Sequence, residues 1–492
     1  MEGKKAILSV NFALIMLMIV GLNGQVDAQD KKQKISTNSE IEEVLEIFDD
    51  QNLEGKFLSD ELEDTPDAIE NDTVKTGDVS RTDINEKPNF VEPSGTLSLG
   101  ISIAFAHDTP SPAEADYRGI VKFRPDLHLE LNMNLSDHWR ANIGGRAFYD
   151  LAYCIHDRDQ FTEETLDEYE SEVELQEVYL LGSLFENLDL KVGRQIVVWG
   201  KSDNIRVVDV INPLDQREPG LVDNQDLRLP VTMTKADYYF GLWSLTGIAV
   251  HEIRFNKMPV FGSEFFPADN PPPPEVGPNN TLDNTEYAFA LNGIFSGWDI
   301  AFYWARFFDD TPHVEMIAPM QFVRRHSRID MAGMAAGLAL GNWLIKTELA
   351  YLDGLEYFSL PGEKKERFDT LLGVEYRGLP NTSISLEAVN RHIDDFDSRL
   401  ENSIDAAQED EFQAMLRYSG DYRHDQLHLQ ALVSIFDPDG EGGSFERFSI
   451  GYDLNDAVAV TLGVVFYQSG DRREMRDIGD NDRVYIEFAY SF

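Results

Sequence analysis

The feature that most constrains this chain is an alternation of apolar with small or polar residues that starts near Gly95 and recurs to Phe492. Side chains alternate across a strand, so Leu97, Leu99, Ile101, Ile103 and Phe105 share one face and Ser98, Gly100, Ser102, Ala104 and Ala106 the other. Leu127, Leu129, Leu131, Met133 and Leu135 likewise oppose His128, Glu130, Asn132 and Asn134, and Trp139, Ala141, Ile143, Gly145 and Ala147 oppose Arg140, Asn142 and Arg146. Later copies run from Tyr287 through Trp343, Phe368, Phe412 and Leu427 to Val458–Phe466. The last, Val484, Ile486, Phe488, Tyr490 and Phe492, has a fully apolar face and ends on an aromatic residue. One such strand suits any half-buried sheet; a chain of them calls for lipid on one side and a polar lumen on the other.

The connections add topology. Tight ones fall at 134–138, 183–187, 240–243, 295–298, 340–343, 378–382, 419–425 and 454–456, with long polar segments such as 154–171, 200–230, 254–284, 309–325, 392–410 and 469–482 between them. Short turns at one end and long loops at the other predict an all-β fold, a transmembrane antiparallel up-and-down β-barrel of about 16–18 strands over residues 95–492. Trp139, Trp243, Trp298 and Trp343 follow tight turns and mark an aromatic girdle at the turn end.

The N-terminus reads as an address. Lys4 and Lys5 precede an apolar run from Ala6 to Val20 and small residues at Val26-Asp27-Ala28, so residues 1–28 are expected to be a signal peptide cleaved near Ala28. That run is shorter than the roughly 20 residues a spanning helix needs. Residues 29–94 read as an acidic periplasmic segment with one possible helix at Glu40 to Asp50. Together the two ends predict the outer membrane of a Gram-negative bacterium, with outer-membrane lipid, lipopolysaccharide and the barrel-assembly machinery as partners.

Net charge is −46, which excludes nucleic acid as a partner, because phosphate neutralisation needs clustered Lys and Arg. The one cysteine, Cys154, excludes an intrachain disulfide. No nucleophile and base stand at a recognisable spacing, so no catalytic residues, cofactor or metal are expected. Asp437 to Gly442 carries oxygen ligands without a full calcium-loop pattern, His424 and His428 do not share a helix face, and Pro271 to Pro274 reads as a rigid loop spacer.

The densest stretch runs from Gly193-Arg194-Gln195 through Trp199-Gly200-Lys201-Ser202-Asp203-Asn204 and Ile211-Asn212-Pro213 to Leu229-Pro230. It is a loop too apolar to dangle: Ile205, Val208, Ile211 and Leu214 each stand to gain roughly 1.5–3 kcal/mol from burial. Folding inward would bury them and leave Lys201, Asp203, Arg206, Asp209, Arg217 and Glu218 as a constriction held by charge pairs among themselves. Arg140, Arg146, Arg328, Lys346, Glu348, Arg377 and Arg417 are expected on the lumen wall. A lid over the rim is the alternative placement of the loop.

The stretch from Lys191 to Tyr239 resembles the outer-membrane barrels grouped as domain of unknown function 1302, related in architecture to alginate-export-type channels. The resemblance extends over the predicted barrel and leaves out the acidic segment. It implies passage of hydrophobic or lipid-like compounds and an inner-membrane exporter as a partner. A channel is therefore the expected function, with a sealed barrel of lipase-like, structural or adhesive role as the alternative.

Overall fold

The structure, a computed structural model, describes residues 90–111, 114–268 and 270–492. The expected signal peptide with its cleavage near Ala28, and the acidic segment with its helix at Glu40 to Asp50, lie outside the described residues up to residue 89.

Nine strands build the first half of the sheet: β1 (Val91–Ala104), β2 (Gly119–Ser136), β3 (Trp139–Tyr149), β4 (Ser171–Phe185), β5 (Leu188–Gln195), β6 (Val231–Phe240), β7 (Trp243–Val250), β8 (Glu286–Phe295) and β9 (Trp298–Phe308). A separate hairpin, β10 (His313–Ala318) and β11 (Gln321–Arg325), stands in the next connection, which sequence patterning leaves as plain loop. The second half is β12 (Arg328–Leu340), β13 (Trp343–Leu355), β14 (Lys365–Leu379), β15 (Thr382–Ile393), β16 (Asp410–Tyr422), β17 (Leu427–Phe436), β18 (Gly443–Asn455), β19 (Val458–Gln468) and β20 (Arg483–Ser491).

The sheet has eighteen strands, all pairings are antiparallel between neighbours, and β20 pairs with both β19 and β1. Closure removes every exposed edge, which an apolar solvent demands because it offers no partner to backbone N–H and C=O groups. Gly95 and Phe492 seal the seam with reciprocal backbone bonds of 2.9 and 3.0 Å. The first strand begins already at Val91, ahead of the expected boundary at 95, because Val91 to Ser94 pair with Met133 to Glu130.

Both ends of the barrel chain, and all the tight turns, lie at one end of the barrel; the long loops lie at the other. Outward side chains such as Leu97, Leu129, Phe289, Leu386 and Leu462 are exposed, as a lipid-facing band requires. Trp139 opens β3 with its ring flat against the neighbouring strand, where a Cβ on Gly182 would come within 2.3 Å of Trp139 Cε3. Only glycine fits beneath that ring.

The inner wall departs from the expected pattern of small or polar residues. Inward-facing Met233, Ile248, Ile329, Met331, Leu371 and Val389 are all buried, forming a continuous apolar sector from β6 to β15. An aqueous lumen would not tolerate that wall bare. What covers it is the connection between β5 and β6.

Candidate functional site

Residues 196–230 leave β5, fold into the lumen and return to β6. Val197, Trp199, Ile205, Val207, Val208 and Ile211 pack in one buried cluster with the apolar wall sector, and Trp199 lies over Tyr303 of β9 with ring centroids 4.8 Å apart. Val208 is fully buried and meets β12 at Gly333, where a Cβ would come within 2.8 Å of Val208 Cγ1. The inward fold expected from the loop's apolar density is thus what the chain adopts, and a lid confined to the rim is not.

The ends of the loop are pinned by one side chain. Asn212 is fully buried; its Oδ1 accepts from Val197 N at 2.8 Å, and its Nδ2 donates to Gln195 O and Leu229 O at 3.1 and 2.9 Å. Both limbs are thereby held together at the strand ends, and a buried amide with every group satisfied fixes register strongly.

The tip is held by wall carboxylates. Glu348 of β13, almost wholly buried, accepts from the backbone N–H groups of Lys201, Ser202 and Val208, at 2.8 Å for Ser202 and 3.3 Å for Val208. Glu387 of β15 accepts from Ser202 Oγ at 2.7 Å and from Asp203 N and Asn204 N, both at 3.0 Å. Each carboxylate thus serves a cluster of loop donors that would otherwise be buried and unpaired, and such charge-assisted bonds are the stronger kind. Glu387 faces the lumen as strand alternation expects, since its neighbour Leu386 points outward and is exposed.

The charges of the loop pair mainly with the wall, not with each other. Lys201 Nζ meets Asp299 Oδ1 at 2.6 Å, Asp203 pairs with Lys346, and Glu218 is bound by Lys122 and, at 3.1 Å, by Arg124. Arg217 is bidentate to Asp215 and reaches Glu172 of β4 at 2.7 Å. Of the pairs expected within the loop only Arg206 with Asp209 forms, at 3.4 Å, and Asp209 also binds Arg228 at 2.8 Å. The correction has a simple cause: the loop spans the lumen, so the nearest opposite charges stand on the barrel. Burial pushes the Glu218 carboxyl up, and the cations Arg124 and Lys122 more than reverse this, leaving it below the ordinary carboxylate range.

Of the expected wall residues, Lys346 and Glu348 touch the loop directly, and Arg417 of β16 reaches Asp223 at 2.7 Å. Arg447 of β18, absent from the expectation, also binds Asp223 and donates to Gly220 O at 3.3 Å. Arg146 faces the lumen and pairs with Asp126 at 2.6 Å; Arg140 shares its face, and Arg377 lies inward near the turn end against Glu375 at 2.6 Å. Arg328 is a correction. On β12 the inward positions are Ile329, Met331 and Ala335, buried under the loop, so Arg328 and Asp330 fall on the outward face. At the loop end of the strand Arg328 donates to Thr285 O at 2.7 Å and lies over Phe308, 4.9 Å from its centroid.

Strands β13, β15, β16 and β18 lie across the barrel from β5 and β6, so these contacts run the full width of the lumen. Beside the returning limb a recess of about 40 Å3 is lined by Arg146, Glu172, Glu174, Asp215, Asp226 and Arg228 among others. That holds about one water molecule. Towards the turn end, a larger recess of about 250 Å3 lies along the inner wall of β17 to β19.

The other sequence candidates resolve into local contacts. Asp437 to Gly442 forms a turn in which Asp439 accepts from Glu441 N at 3.2 Å, and Pro273 and Pro274 accept from Arg324, both at 2.9 Å. His424 sits in the β16–β17 turn with φ of 61°, apart from His428, which points to Asp421 and Asp453. Cys154 is exposed, 3.4 Å from Tyr149 Oη.

The model of the family described as protein of unknown function (DUF1302) matches residues 96–492. No curated protein matches. Among solved structures, the chain is similar to OccAB3 of Acinetobacter baumannii, at 12% identity and TM-score 0.49, over 82% of this chain and 99% of that one. It is similar to OccK2 (OpdF) of Pseudomonas aeruginosa in complex with glucuronate, at 12% identity and TM-score 0.47, over 82% and 98%. A BenF-like porin from Pseudomonas fluorescens Pf-5 matches at 11% identity and TM-score 0.49, over 82% and 98%.

Proposed function

The chain belongs to the DUF1302 family, and we propose that it is an outer-membrane channel whose passage is set by the loop of residues 196–230. The observation that carries this reading is the span of the loop, from Glu348 and Glu387 on one part of the wall to Arg447, Lys122 and Arg124 on another. A segment bound on several sides of a lumen controls what moves through it. Its backbone is irregular inside the barrel, where a buried protein environment or a water-filled cavity is the setting that tolerates irregular backbone at membrane depth.

The solutes that suit this lining are small and polar. Most apolar side chains of loop and wall pack against each other, and the charged groups Arg146, Glu172, Glu174, Asp215 and Arg228 line most of the recess beside the returning limb. This departs from the hydrophobic or lipid-like compounds that the family resemblance suggests. With room for about one water there, passage of an organic solute beside that limb requires the loop to shift. The test is single-channel recording of the purified, heat-modifiable protein in planar bilayers, followed by liposome swelling with charged and apolar solutes. Discrete conductance with entry of small polar solutes supports the reading. A folded barrel without conductance overturns it.

A further inference from the structure

His428 stands on β17 near the turn end of the lumen with a carboxylate at each ring nitrogen. Nδ1 lies 2.7 Å from Asp421 Oδ1 on β16, and Nε2 lies 3.1 Å from Asp453 Oδ2 on β18. A neutral imidazole donates from one nitrogen only and presents a lone pair at the other, which would face a carboxylate oxygen. The geometry fits an imidazolium donating to both acids. The three side chains then carry one net negative charge.

His428 and Asp453 line the recess of about 250 Å3, together with Gln430, Ser449 and Thr461. Among the described residues that line the recess, none besides His428 is a cation; β16 brings Asp421 to the ring, β18 brings Asp453 and Ser449, and β19 brings Ala459 and Thr461. The side chain of His428 is about one-third exposed and those of Asp421 and Asp453 nearly half, so all three meet the lumen water. Unlike Glu348 and Glu387, they hold no part of the loop.

We propose that Asp421, His428 and Asp453 form a selectivity site at the turn-end mouth of the lumen that favours small cations and strengthens when His428 loses its proton. The inference rests on the channel reading. In acidic buffer the imidazolium leaves one net negative charge; in mildly alkaline buffer its neutral form leaves two. Imidazole is the side chain whose ordinary titration falls in this range. Fixed charge at a mouth raises the local concentration of oppositely charged ions and so sets ion preference.

The experiment is the reversal potential of the full-length channel in a potassium chloride gradient, from acidic to mildly alkaline buffer, for wild type, Asp421→Asn/Asp453→Asn and His428→Gln. Wild type is expected to prefer potassium, more strongly as pH rises. The double Asn variant should lose most of that preference, and His428→Gln should hold a high preference that no longer varies with pH. Heat-modifiable migration shows that each variant has folded. Conducting channels whose reversal potential is the same in wild type and the double Asn variant overturn this site and leave the channel reading intact. Absence of wild-type conductance overturns the channel reading, and the selectivity site with it.

Discussion

Val208 occupies the space that a side chain at Gly333 would need, with its Cγ1 2.8 Å from where a Cβ would stand. The loop is therefore fitted to β12 at a point where the wall offers bare backbone. Gly333→Val should cost about 1–3 kcal/mol by overpacking if both stay in place. We expect the loop to yield, since the wall is locked in the sheet: the barrel still migrates as heat-modifiable, and its conductance rises. A normal conductance from that variant would show that Val208 moves aside without moving the loop.

Glu348 and Glu387 make a second prediction. Replacing both with Ala leaves the N–H groups of Lys201, Ser202, Asp203, Asn204 and Val208 without these acceptors. Each buried donor left unpaired costs about 1–3 kcal/mol, so the tip should detach. Faster backbone hydrogen exchange over residues 200–208, with exchange in the strands unchanged, would register this. Equal protection in wild type and variant would mean that apolar packing alone holds the tip.

A pH dependence follows from Asp310, in the connection between β9 and β12. Burial raises its carboxyl to about 8, Arg206 opposes this, and Asp309 adds to it. The folded protein thus holds a proton that the unfolded chain releases near 3.8, so this contribution to stability is present below 3.8 and lost as pH rises to about 8. Asp310→Asn should therefore leave thermal stability unchanged in acid and raise it above pH 8. Thermal melts followed by gel mobility at both ends of this range would check it. An Asn variant no more stable than wild type in alkali would refute the assignment.

The strand framework was legible because period-2 alternation and alternating loop lengths report directly on a sheet with lipid on one face. The inward loop was legible too, since Ile205, Val208, Ile211 and Leu214 have nowhere else to go. Its partners were not. Alternation marks a charged residue in a strand as inward, and this misplaced Arg328, because β12 turns an apolar face to the loop and its charge to the rim. The roles of Glu348, Glu387 and Arg447 depend on which wall position the loop reaches across the lumen. That is a long-range relation with no local trace.

The seam yields a prediction about assembly. Phe492 exchanges backbone bonds with Gly95, and β20 pairs along β1 and β19. Deleting Tyr490 to Phe492 removes three residues that complete this closure and the apolar face of the last strand. Outer-membrane recovery of folded protein should fall steeply, whereas deleting Gln29 to Lys75 should leave folding intact. The reverse pattern would show that assembly depends on the N-terminal segment.

The central claim is that the loop of residues 196–230 sets the passage through the barrel, and the most direct measurement replaces residues 200–230 of it with a short Gly-Ser linker. Single-channel conductance of the folded variant should exceed that of wild type, and cells carrying it should become sensitive to large toxins that the intact barrel excludes. A variant that folds, migrates as heat-modifiable and conducts like wild type would contradict the account.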